Sequence, residues 1–140
     1  MSDIYLQLIL AVVLGSLMGF ERRLAHKTAG MRTFALVTLG AAVFSIMSQS
    51  VGDAGRIASG IVTGIGFLGA GLIILRHNNG EEERVWGLTT AAGLWVAAAV
   101  GMAIGFRYYE VAILTALLTI FVFAVMWIFE ERFVDSIKKK

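Results

Sequence analysis

The residues of this chain that could do chemistry are few, and they stand at the ends of apolar runs. Asp53 and Arg56 lie three apart, a spacing that puts an acid and a base on one helix face, and they head the run Ile57–Leu75, which has no formal charge. A charge near lipid is costly to keep, so the pair is either an anchor at the membrane edge or part of a functional site. Glu21, Arg22 and Arg32 follow the first apolar run as a solvated loop or as an ion-pair cluster at the mouth of a bundle. Thr89 and Thr90 could bond back to carbonyls or line a polar pocket. Glu81, Glu82 and Glu83 could draw a divalent cation, but three adjacent glutamates do not converge on one ion as its six or so oxygen ligands must, and they are assigned to solvent. His26 and His77 read as loop histidines. No Gly-x-Ser-x-Gly, HExxH or phosphate-binding loop occurs and there is no cysteine, so neither an enzyme nor a resident metal or cofactor is expected.

The elements that must position these groups are membrane helices. The chain has 140 residues, 58% of them hydrophobic, against about 45–50% in a soluble domain, and a mean hydropathy of +0.80. The spacing predicts an all-α, polytopic membrane protein forming one domain, with five transmembrane helices over about 4–20, 34–51, 57–75, 85–106 and 111–129. Gly52–Arg56 is read as a short turn between the second and third spans, and Asn79-Gly80 as the reversal after the third. The third span carries Gly60, Gly64, Gly66, Gly69 and Gly71, expected to bring helices into close contact. Gly60, Gly64, Phe67 and Gly71 share one of its faces, and Gly15/Gly19 and Gly101/Gly105 repeat the spacing elsewhere. The fifth span has no glycine and is expected to face lipid.

Charge sets orientation rather than suggesting nucleic acid. Of the 12 lysines and arginines, all but Arg56 and Arg107 fall on one side of a five-span chain, which places the amino terminus outside and the carboxyl terminus in the cytoplasm.

Three motifs carry a resemblance. Gly-Phe-Glu-Arg-Arg with Ala-Gly-Met-Arg-Thr after it, then Asp53, Arg56 and Ile-Val-Thr-Gly-Ile-Gly-Phe-Leu-Gly-Ala-Gly, then Val-Trp-Gly-Leu-Thr-Thr-Ala-Ala-Gly-Leu-Trp-Val, are similar to the MgtC/SapB family of bacterial inner-membrane proteins. The resemblance covers nearly the whole chain. It implies five membrane helices in the bacterial inner membrane, a role in adaptation to low magnesium and in virulence, and inhibition of the F-type ATP synthase. Trp86 stands where the family often has arginine, with Arg84 two positions earlier. Many members continue into a soluble domain resembling ACT domains; none is expected within these residues.

Three kinds of function follow, one of them a purely structural membrane scaffold. Another is a regulator acting by lateral contact in the bilayer, with the F-type ATP synthase as partner and a homodimer as its assembly. The alternative is a transporter or channel for magnesium or another small ion, which requires Asp53, Arg56, Thr63 and Thr89 to meet in one hydrated cavity.

Overall fold

The computed structural model describes residues 2–76 and 84–126. Five helices follow one another: α1 (Ser2–Leu24), α2 (Met31–Val51), α3 (Ala54–Leu72), α4 (Leu88–Gly105) and α5 (Tyr109–Phe121). A π-helical turn, Val122–Met126, continues α5. The all-α, polytopic fold expected from the sequence is present, and α1 to α4 are each long and apolar enough to cross a membrane.

The boundaries follow local chemistry. Gly52 ends α2 in the left-handed conformation (φ 72°) that glycine adopts without a Cβ penalty, and α3 begins two residues later. At the other end of α3 the structure corrects the expected spans. Ile74–Arg76 (β1) and Arg84–Trp86 (β2) form an antiparallel hairpin, with Ile74 opposite Trp86 and Leu75 opposite Val85, so the third span stops at Leu72 and the fourth starts at Leu88. β-Branched Ile73, Ile74 and Val85 favour this extended form. Gly87 closes it: its φ is 93°, and a Cβ there would overlap the carbonyl oxygen of Leu72. Asn79, Gly80 and Glu81 to Glu83 lie outside the described residues. At the chain's first turn, α1 runs through Glu21 and Arg22 rather than ending at Phe20, and the fifth span begins at Tyr109 rather than Val111.

α4 is the centre of the bundle and touches each of the other helices. It is apolar all round, as a helix enclosed by others should be. Half of its span (50%) is buried, against 11% for α3. Glycine makes this density possible. A Cβ on Gly101 would overlap the Thr38 carbonyl oxygen, and one on Gly105 would stand 2.7 Å from that of Ala42, so α4 lies backbone-to-backbone on α2. Gly15 and Gly19 seat α1 on α2 in the same way, where added Cβ atoms would fall 2.8 Å from Ala35 Cα and 2.7 Å from Met31 Cα.

The expectation for α3 needs correcting within the chain. Among the described residues only Gly69 of these five has a neighbour across a helix contact, Ala91 Cβ at 3.6 Å; Cβ atoms on Gly60, Gly64, Gly66 and Gly71 would meet none of them within 4 Å. Side chains should therefore be tolerated very differently by the two kinds of glycine. Gly101→Ala should cost about 1–3 kcal/mol in detergent unfolding, because Thr38 cannot move without moving α2. Gly66→Ala should cost nothing in the same assay, and equal losses at both positions would contradict this packing.

Candidate functional site

Polar groups collect at the two ends of the bundle. At one end lie the carboxyl-terminal carbonyls of α4, which have no partner within their own helix. Gln7 of α1, 1% exposed, donates from Nε2 to Ile104 O (2.7 Å) and Gly105 O (3.1 Å), and Gln49 of α2 donates to Gly105 O (2.7 Å). Both acceptors are carbonyls, so only the amide nitrogens can make these bonds. Ser48 Oγ donates to Ser45 O (2.7 Å), while Ser45 Oγ is the one buried side-chain polar atom without a partner among the described residues. Midway along α2, Thr38 Oγ1 donates to Phe34 O (2.8 Å).

The other end is built on Arg22, which lies in α1 and is 3% exposed, not in a solvated loop. Its Nε donates to Glu21 Oε2 at 2.6 Å and its Nη2 to the Phe123 carbonyl at 3.4 Å. The guanidinium stands 3.9 Å from the centroid of the Phe123 ring. Phe123 in turn meets Phe34 edge to face, with centroids 6.1 Å apart. Gly93 gives both rings room: a Cβ there would lie 2.5 Å from Phe123 Cζ and 3.1 Å from Phe34 Cζ. A desolvated arginine costs several kcal/mol unless its charge and N–H groups are met, and here a carboxylate, a carbonyl and an aromatic face share that task. The carbonyl comes from the π-helical turn, a distortion that recurs at functional sites.

The remaining candidates separate. Arg32 is exposed in the first turn of α2, and Thr89 is exposed while Thr90 is buried. Asp53 and Arg56 are exposed, and among the described residues no ion pair joins them. Thr63 donates to Ser59 O (2.9 Å) on its own helix and is exposed. Among the described residues no three Asp, Glu or His side chains stand close enough to hold a metal ion.

Between α2 and α3 runs an apolar groove of about 660 Å3, walled by Leu36, Gly40 and Phe44 on one side and Gly60 and Gly64 on the other, with Ala98 of α4 as its floor. Of Asp53, Arg56, Thr63 and Thr89, only Arg56 lines it. Sequence reasoning missed Phe123, Gln7 and the groove. For Gln7 a signal was available, a lone amide in an apolar run; for Phe123, one phenylalanine among several in the last span, there was none.

A double-mutant cycle tests the stacking at Arg22. Arg22→Leu and Phe123→Leu should each destabilise the folded protein, and the pair should show a coupling of about 1–2 kcal/mol in detergent unfolding. Strict additivity would show that the ring does not hold the guanidinium.

The MgtC family model matches residues 8–132. YhiD of Escherichia coli (strain K12), named as a candidate magnesium transporter, is 41% identical over 135 residues, which cover 89% of this chain and 60% of that protein. Protein MgtC of Brucella abortus (strain 2308) is 48% identical over 118 residues, 82% of this chain and 46% of the relative. Protein MgtC of Salmonella typhimurium (strain LT2) is 47% identical over 110 residues, 77% and 46%. The chain thus spans about half the length of the curated relatives it matches. No solved structure matches it significantly. With its motifs in order along five helices and the family model matched from Leu8 to Arg132, the chain belongs to the MgtC family.

Proposed function

We propose that this protein is a regulator in the bacterial inner membrane that acts by lateral contact with other membrane proteins, in adaptation to low magnesium, and that the F-type ATP synthase is its target. The observation that carries this reading is where the polar side chains of the spans point. Gln7 and Gln49 tie α1 and α2 to the end of α4, Thr38, Ser48, Thr63 and Thr119 donate to carbonyls of their own helices, and of Asp53, Arg56, Thr63 and Thr89 only Arg56 lines the apolar groove, so these polar groups do not meet in one cavity that could replace the water of a small cation. What the helices offer outward is an apolar groove and uncovered glycines, and these suit another helix. Virulence would follow where growth in low magnesium inside a host depends on such regulation.

The alternative is magnesium transport, in line with the name of the E. coli relative. Inverted inner-membrane vesicles separate the two. At equal ATP synthase content, vesicles carrying this chain should pump protons more slowly on ATP than vesicles without it, while respiration-driven pumping stays the same. Unchanged ATP-driven pumping would overturn the regulatory reading.

A further inference from the structure

The face of α3 turned away from α4 carries six residues in register: Asp53, Arg56, Gly60, Gly64, Phe67 and Gly71. At about 100° per residue they fall within one stripe. The opposite stripe, with Ile61, Ile65, Gly69 and Leu72, packs on the core. The outward stripe has no neighbour among the described residues. Phe67 is 82% exposed, and the space where side chains of residues 60, 64 and 71 would stand is empty.

The charges at its head are uncommitted. Asp53 occupies the amino-terminal cap position of α3, where an aspartate ordinarily accepts from the helix, yet its side chain makes no capping bond. Arg56 lines the groove and has no ion pair among the described residues. A long side chain on a helix leans toward the amino-terminal end, which for Arg56 is the end that carries Asp53.

We propose that the outward stripe of α3 is a homodimer interface, in which a second copy of this chain lays its own α3 along the groove beside α2, about a two-fold axis along the membrane normal, with each Asp53 paired to the partner subunit's Arg56. The proposal rests on the lateral-contact reading and names its first partner.

Charge complementarity selects this occupant. In an isologous contact residue i meets j and j meets i, so an acid and a base on one stripe produce two ion pairs from a single surface. An anionic phospholipid headgroup would satisfy Arg56 and repel Asp53. Steric fit points the same way. Lipid chains gain nothing from the three bare glycines of the stripe, whereas a second helix needs them to approach, and Phe67 is spaced to fill the hollow between the partner subunit's Gly64 and Gly71. The two other glycine pairs, on α1 and α4, are already covered within the chain.

The chain has no cysteine, so single cysteines report directly. In native membranes Gly60→Cys, Gly64→Cys and Phe67→Cys should give disulfide-linked dimers on oxidation, and Gly66→Cys and Leu114→Cys should not. By mass in lipid nanodiscs the parent chain should be a dimer and Gly64→Leu a monomer; the protomer has room for that leucine, and an unchanged helical circular-dichroism spectrum verifies its fold. Asp53→Arg and Arg56→Asp should each lose the dimer, and the double swap should regain it. A monomeric parent chain, cross-links strongest on another helix, or a double swap no better than the singles overturns the proposal, and anionic lipid retained at Arg56 in such a monomer assigns the groove to lipid. Loss of vesicle inhibition with the dimer intact would overturn the regulatory reading and leave this interface standing.

Discussion

The contact of α4 with α2, backbone against backbone, is the constraint on which the other features depend. In hydrocarbon no water meets a polar group, so side chains must reach partners inside the protein. Gly101 and Gly105 let α4 approach until the carbonyls of Thr38 and Ala42 stand where its own Cβ atoms would be. At that distance a glutamine on α2 can reach the end of α4, and Gln7 of α1 completes the cap from the other side. The two amides also set positive dipole ends against the negative end of the helix. Ser45 Oγ, which has no partner among the described residues and lies close to Gly105, marks where tight packing prevailed over hydrogen bonding.

Arg22 is the other half of the same physics. A full charge cannot be met by one amide, and the chain surrounds it with an acid, a carbonyl and a ring drawn from α1 and the turn after α5. This ties the last described element to the first. Phe34 and Gly93 extend the tie to α2 and α4, so one guanidinium holds the register of four helices at that end. α3 takes no part in either polar end, which accounts for its small buried share and its open face.

Hydropathy and glycine spacing made the five helices legible, because each run is long and the charges cluster between them. The ends were less so. Glu21 and Arg22 read as a loop, since a charge beside an apolar run looks the same whether the helix stops or carries it inward to a partner more than a hundred residues away. Ile73 to Leu75 read as helix because hydropathy does not distinguish a β-branched strand from a helix end. The glycines of α3 showed a close-approach face but not its occupant: spacing reports what a helix can accept, and only the positions of the other helices show that among the described residues nothing covers Gly60 and Gly64.

The most direct measurement is magnesium flux. Purified protein in sealed liposomes loaded with a magnesium-sensitive dye should admit the ion no faster than protein-free liposomes across an imposed gradient and membrane potential, because the groove between α2 and α3 is apolar and neither Asp53, Thr63 nor Thr89 lines it. Saturable magnesium entry that disappears with Gln7→Leu would contradict the account and show that the polar end of the bundle is a path.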